Sequence, residues 1–424
     1  MNEALLYHLW KYRLFKSMPL TTIDGKTIEV IKPGELNPDS GPDFFNARLI
    51  IDGTEWAGNV EIDPSSADWY NHKHHINKAY SKLILHIVYE MNKPLDHGFP
   101  VLEFKKFIDV NAVKTYNQLQ ESSAPVPCHK QINLVSNITI NTWLERMIVE
   151  RLEQKTSAIY DMLQANKFDW EETFYFFLAR NFGFKINALP FEMLARSIPM
   201  TALARHKNNL LQIEALLFGQ AGFLNNKHPD KYVESLSREH RFLAGKFQLQ
   251  AMNNSLWKFA RMHPRNFPSV RIAQFAALIH NSTHLFSKIL DEKDVKSLIQ
   301  LFNITPSSYW DSHFHFGKES AESKKTFGRD SADNIIINTI APFLFLYGKV
   351  KDNEKLTERA LSLLEHIKPE NNVIIRQWKN AGITAKHAYH TQALIQLKNL
   401  YCSKKKCLNC AIGVKILNNK NNDY

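Results

Sequence analysis

The stretch FFNARLIIDGTEWAGNVEID constrains this chain more than any other. Asp52-Gly53 separates two alternating apolar runs, Ala47, Leu49 and Ile51 before it and Trp56, Val60 and Ile62 after it. That pattern predicts antiparallel strands at about 44–51 and 54–63 joined by a tight turn. Partner numbers in such a hairpin sum to about 105, so residue 43 falls roughly opposite residue 62. Asp43 and Glu61 are therefore expected at the same end of one sheet.

The flanking segments extend this unit. Residues 3–16 carry Leu5, Leu6, Leu9 and Trp10 at helical spacing, and TTIDGKTIEVIKPG reads as a second hairpin closed by Pro33-Gly34. A helix is expected over 70–82. SKLILHIVYE is an unbroken apolar run suited to a central strand buried on both faces, and PVLEFKKFI suits a further strand. From 135 onward the periodicity is helical to about residue 400. The predicted fold class is α/β plus all-α: a mixed α/β domain over 1–120, a linker over 121–134 (ESSAPVPCHKQINL) and a helical domain over 135–400. A cysteine-rich motif over 401–413 is expected to pack back on the linker, followed by a flexible tail over 414–424. No internal repeat is present.

Composition excludes a disordered chain, since 44% of the 424 residues are hydrophobic and 27 are Phe. The apolar run at 335–348 is broken by Asn338 and Pro342 and falls short of the ~20 residues a bilayer requires, so no membrane span is expected. The N-terminus has an acid at position 3, aromatics within its apolar stretch and no small-residue cleavage site, which predicts a cytoplasmic protein. The net charge of +11 is unevenly spread: residues 1–130 carry −2 and the remainder +13. A basic rear part suits a polyanionic partner, DNA or RNA, although a basic solvated surface would give the same count.

Two carboxylates converging at a sheet end, Asp43 and Glu61, are an oxygen-ligand set for Mg²⁺ (or Mn²⁺), which activates water and neutralises phosphate; Glu35 and Asp63 are placed to assist. The alternative is that Asp43 caps the turn at 39–42 and Glu61 is a solvated strand residue. His72, His74 and His75 are candidate bases or transition-metal ligands; on a helix, 72 and 75 would share a face and 72 and 74 would not. His86, inside the apolar strand, reads as a hydrogen-bonded core residue.

Pro42-Asp43 followed by Glu61-Ile62-Asp63, in helix, β-hairpin, helix, strand order over residues 1–110, resembles the PD-(D/E)XK nuclease superfamily. The resemblance implies a metal held by Asp43 and Glu61 and a lysine two residues beyond the glutamate to orient the attacking water. Position 63 is Asp, so the water-orienting group would come from Lys73, His72 or His74, or the site would be inactive as a nuclease.

The chain has four cysteines, Cys128 and the trio Cys402, Cys407 and Cys410 in YCSKKKCLNC. We read them as one four-thiolate site, with Lys404, Lys405 and Lys406 helping to hold the thiolates deprotonated. The spacing accepts a 4Fe-4S cluster or Zn²⁺, and ordinary reduced thiols are the third alternative. The one-plus-three partition is similar to that of iron-sulfur RecB-like nucleases, though the order and spacing differ.

In RMHPRNFPSVRIAQ, Pro268 opens a helix, and Arg261, Arg265 and Arg271 around its start are candidate phosphate contacts. Trp257 and Phe259 nearby are expected in the core. EALLFGQAGFL and FGRDSADNIIINTIAPFLFLYG read as buried helices whose glycines permit close approach. Through ELNPDSGPDFFNARL, GNVEID, EALLFGQAGFL, RNFPSVRIAQ and the terminal QALIQLKNLYC, the chain resembles, over nearly its whole length, a bacterial domain-of-unknown-function family numbered 2851, which implies no activity. The expected function is a metal-dependent nuclease-like enzyme; the alternatives are a non-catalytic nucleic-acid-binding protein of the same fold and an interaction scaffold stapled by a structural metal.

Overall fold

A computed structural model describes residues 1–16, 18–225, 230–282, 284–292 and 294–419. The chain divides into two units, the first formed by 1–145, 376–384 and 394–424, the second by 146–375 and 385–393. The expected α/β front and helical rear are both present.

The first unit opens with α1 (Glu3–Lys11), whose free N–H at Ala4 is capped by the Asn2 side chain at 2.8 Å. The periodicity that predicted a helix to residue 16 is cut short because Arg13 adopts a left-handed backbone (φ 52°). Strands follow at β1 (Leu20–Thr21), β2 (Thr27–Lys32), β3 (Glu35–Leu36), β4 (Phe44–Ile51), β5 (Thr54–Ser65), β6 (Leu83–Glu90) and β7 (Val101–Glu103). They form one sheet in the order β1-β2-β4-β5-β6-β7, with β3 also paired to β4. β5, β6 and β7 run parallel, which places β6 in the sheet interior, and its residues Leu83–Val88 are buried as the unbroken apolar run required. PVLEFKKFI keeps only three residues in the sheet before turning into a 3₁₀ segment at Phe104–Lys106.

The predicted hairpin is present, with one departure that decides the chemistry. Partners sum to 105 from Ile51↔Thr54 to Ala47↔Gly58 but to 104 at Phe44↔Val60, so a β-bulge lies between. Asn46, in the left-handed region at φ 54°, is its extra residue. Strand side chains alternate, so an unbulged β4 would put Asp43 on the core face beside Ile62. The extra residue keeps Phe44 with Ala47, Leu49 and Ile51 in the core and turns Asp43 to the face of Glu61 and Asp63.

The expected helix over 70–82 is three short turns instead: α2 (Asp68–Asn71) and 3₁₀ segments at His74–Ile76 and Lys78–Lys82. Lys73 at φ 62° ends the first, and Asn77, extended, caps the third. Trp69 anchors this segment, fully buried against Tyr80 and Leu83. After α3 (Val110–Glu121), Val126, Cys128 and Ile132 of the 121–134 stretch are buried. Residues 414–417, expected to be flexible, complete the helix Ala411–Leu417, with Ile416 and Leu417 buried; the rest of that tail, from 420, lies outside the described residues.

The second unit is helical apart from a small pair of strands, His313–His315 and Lys318–Glu319. Its two quoted apolar segments are buried helices as expected. Gly219 lets the helix Leu210–Gln220 meet the His240 ring where a Cβ would overlap it, and a Cβ at Gly348 would stand 2.9 Å from Asn353 O. Pro342, unable to donate an N–H, follows a π-helical turn at Ile336–Ile340.

Because the bulge needs a left-handed residue, Asn46→Val should destabilise the protein by about 1–3 kcal/mol, whereas Asn46→Gly should be near neutral. Urea unfolding of the two variants checks this; equal stability would remove the bulge argument.

Candidate active site

Three elements bring acidic and imidazole groups together on one face of the sheet. β4 delivers Asp43 and β5 delivers Glu61 and Asp63, the latter two only 4% and 3% exposed. The hairpin ends are tied reciprocally: Asp43 N–H donates to Glu61 Oε2 at 3.1 Å and Ile62 N–H to Asp43 Oδ2 at 2.9 Å. Asp43 is therefore more than a turn cap, and Glu61 is not solvated.

α1 contributes two groups that sequence reasoning missed. The Tyr7 hydroxyl lies 2.5 Å from Asp43 Oδ1 and also within hydrogen-bond reach of Glu3, so its single proton is shared between the two carboxylates. Their spacing of four residues, one turn of an amphipathic helix, is the signal that marked them as neighbours. Burial, followed by these two carboxylates, raises the Tyr7 phenol far above its ordinary value.

The turn after Asn71 supplies the imidazoles. His74 Nε2 is 3.2 Å from Glu61 Oε1, and His72 Nδ1 is 3.8 Å from Asp63 Oδ1. The two rings stand 5.3 Å apart, because the left-handed Lys73 replaces helical geometry and turns 72 and 74 to the same side. The expected pairing of 72 with 75 is thereby overturned; His75 is exposed and its ring lies against Tyr70 at 5.3 Å. Asp63, His72 and His74 each offer a ligand atom within 4.8 Å of the others. His86 is a fully buried, hydrogen-bonded strand residue as expected, and its Nε2 lies 3.0 Å from Asp63 Oδ2. Lys73 is exposed at the turn. Glu35 sits on the exposed β3, paired with Lys32 at 2.7 Å, which lowers its carboxyl.

Electrostatics follow from this packing. Burial, then the charges of Asp43 and Asp63, push the Glu61 carboxyl up to about 9. Asp43 rises to about 6 through burial, against the lowering hydrogen bonds from Tyr7 and Ile62. Burial lowers His74, against the raising charge of Asp63. Crowding thus favours protonation of the Asp43 and Glu61 carboxyls, and a divalent cation would take the place of those protons.

All four cysteines lie in the first unit, buried and free of disulfides. Gln120 Nε2 donates to Lys405 O at 3.0 Å, and the Lys405 ammonium donates to the carbonyls of Ser122 and Leu119, so the 402–410 loop is fastened to the end of α3. Gly413 lies so close to the Cys407 carbonyl that a Cβ would overlap it. Burial dominates the thiols, raising Cys128 to about 12 and Cys407 to about 11, with neighbouring cysteines adding to it. Of the lysine triplet, Lys405 opposes the rise at Cys407. Cys410 is also raised by burial, while hydrogen bonds from Gly413, Ile412 and Trp143 oppose the rise.

In the second unit, Pro268 opens the helix Pro268–Asn281 as expected, and Arg261 and Arg265 before it are exposed. Arg271 is not available to phosphate. It is 5% exposed, bonded to Asn266, Gln274 and Ser331, and sandwiched by Phe184 and Phe327. Trp257 is buried, with its indole donating to Ala221 O at 2.9 Å.

The raised carboxyls give a pH prediction. Groups whose folded pKa exceeds the unfolded value take up protons on folding, so their contribution falls as pH rises from about 4.5 through about 9. Nearby histidines with lowered values give the opposite slope below about 6.5. The Glu61→Gln variant isolates the carboxyl: in chelator at pH 8 its melting temperature should exceed the parent's by several degrees, with the gap closing towards pH 5. A variant less stable than the parent at pH 8 would refute the assignment.

No curated protein matches the chain, and no solved structure does. A family model described as "Protein of unknown function (DUF2851)" matches residues 3–373, most of the 424 residues, and the chain belongs to that family.

Proposed function

We propose that this protein is a metal-dependent nuclease-like enzyme that hydrolyses phosphodiester bonds of DNA or RNA. The observation that carries the reading is the convergence of Asp43 and Glu61, each carboxylate bonded to backbone at the other's strand end. Mg²⁺ or Mn²⁺ bound there would neutralise phosphate charge and polarise water. Asp43 and Glu61 are the ligands, fixed by the bulge and by Tyr7. The turn at 72–74 takes the part of the lysine absent at position 63. Hydrolysis joins the water oxygen to phosphorus and breaks the bond to the ester oxygen; that oxygen leaves with a proton, giving a phosphomonoester and a hydroxyl end. The +13 charge of residues 131–424, with exposed Arg261 and Arg265, suits the polyanion.

The four cysteines fit a cofactor site in this reading. Hydrogen bonds to the Cys410 sulfur are what a ligated thiolate needs. Among the described residues, three or more ligand atoms within 4.8 Å of one another occur at Asp63, His72 and His74, and not at the cysteines. Four thiolates accept a 4Fe-4S cluster or Zn²⁺ alike, and the colour and metal content of the purified protein separate the two.

Asp43→Asn should abolish Mg²⁺-dependent cleavage while nucleic-acid affinity stays within about twofold, and that affinity should fall at least ~tenfold between ~50 and ~200 mM salt. Binding without cleavage by the unmodified protein, in either metal, would leave the non-catalytic reading. Anaerobic purification should yield brown protein with iron and acid-labile sulfide, and Cys407→Ala should lose colour and stability together. Colourless protein with one bound zinc would select the alternative.

A further inference from the structure

Asp63, His72 and His74 stand beside Asp43 and Glu61, with His74 Nε2 3.2 Å from Glu61 Oε1, and their arrangement is specific. The 3.8 Å between His72 Nδ1 and Asp63 Oδ1 is too long for a hydrogen bond. Two imidazoles and a carboxylate thus face one another without being joined. Asp63 and His74 form the inner side, with side chains 4% and 13% exposed, whereas His72 is 54% exposed, so the cluster opens outward through His72.

A second observation shows how Asp63 is held. Phe99 N–H, which can only donate, lies 3.2 Å from His97 Nδ1. His97 Nε2 then carries the proton and donates to His86 Nδ1 at 2.9 Å, and His86 Nε2–H donates to Asp63 Oδ2 at 3.0 Å. The direction of the whole chain is set by one backbone amide. It occupies Oδ2 and leaves Oδ1 on the side of His72. Trp69 locks the rings, with centroids 5.5, 5.0 and 4.8 Å from His74, His86 and His97. A buried histidine donating to a ligating carboxylate is the outer-shell support that metal sites use.

We propose that Asp63, His72 and His74 bind a borderline transition cation, Mn²⁺, Fe²⁺, Co²⁺ or Zn²⁺, through one carboxylate oxygen and two imidazole nitrogens. Imidazole donors suit these ions and not Mg²⁺, which prefers an all-oxygen shell. Three protein ligands with an outward opening leave room for water, as in catalytic rather than structural sites. Its role, which rests on the hydrolase reading, is to supply an ionised water in place of the lysine-oriented one.

The test uses full-length, chelator-stripped protein titrated with Co²⁺, followed by visible absorption and calorimetry. One histidine-dependent equivalent should bind, separate from any Co²⁺ taken up by the cysteines, whose thiolate charge-transfer bands the histidine variants leave unchanged. His72→Ala and His74→Ala should each weaken it at least ~tenfold, and His86→Phe about 10–100-fold. His72 is half exposed, so its variant keeps the fold, which a thermal melt verifies. Co²⁺ affinity unchanged in both histidine variants overturns the site. The two readings separate cleanly: Asp43→Asn should retain the histidine-dependent Co²⁺ signal while losing cleavage. A histidine-dependent signal with no cleavage of any nucleic acid leaves the site and removes the hydrolase. Undiminished cleavage in Mg²⁺ alone by His72→Ala/His74→Ala removes the ion's role and leaves the hydrolase.

Discussion

The candidate site depends on the reciprocal bonding of Asp43 and Glu61 across a bulged hairpin end. Two carboxylates at neighbouring strand ends would ordinarily splay into water. Here each accepts a backbone N–H from the opposing strand, so the polar groups that end the ladder and the charges of the site are satisfied by the same two contacts. The arrangement is costly as well as ordered, because Glu61 and Asp63 are almost wholly buried with like charges beside them. Apolar residues of similar volume would generally be neutral or stabilising at such positions. A fold that keeps three carboxylates there gives up stability for placement, as functional sites commonly do.

The hairpin, its turn and the central strand were legible because each rests on local chemistry: Asp-Gly at a tight turn, alternation for a half-buried strand, an unbroken apolar run for a strand flanked on both sides. The start of the helix at Pro268 was legible for the same reason. The bulge was not. Asn46 tolerates a left-handed backbone, but nothing local requires it; Phe44, rather than Phe45, being the residue that completes the core is a tertiary fact. Sequence placed Asp43 at the correct end of the sheet, and only the bulge put it on the correct face.

The histidines show the opposite failure. Helical spacing paired 72 with 75, and Lys73 in the left-handed region reversed the choice. A lysine there carries no turn signal comparable to glycine, so the break was invisible to periodicity. Arg271 failed for a third reason: an arginine near a helix start looks the same whether it faces phosphate or stacks between Phe184 and Phe327, and burial alone separates the cases. Glu3 and Tyr7 were hidden by distance along the chain, since nothing in α1 announces that its polar face meets residue 43.

Position 63 is Asp where the motif that the sequence resembles has lysine, and its surroundings are specific for a carboxylate. Around an ordinary solvent-facing strand residue the surroundings would be indifferent to the side chain. Instead Asp63 is the acceptor at the end of a hydrogen-bond chain that starts at the Phe99 amide and passes through two histidines in defined tautomers. An ammonium at 63 has no lone pair and could accept nothing from His86 Nε2–H. It would leave that donor orphaned in a fully buried strand and set a cation against the His72 and His74 rings. The carboxylate is therefore built into β5, β6 and the 97–99 segment together, and a lysine there would orphan the buried His86 donor at the end of that chain.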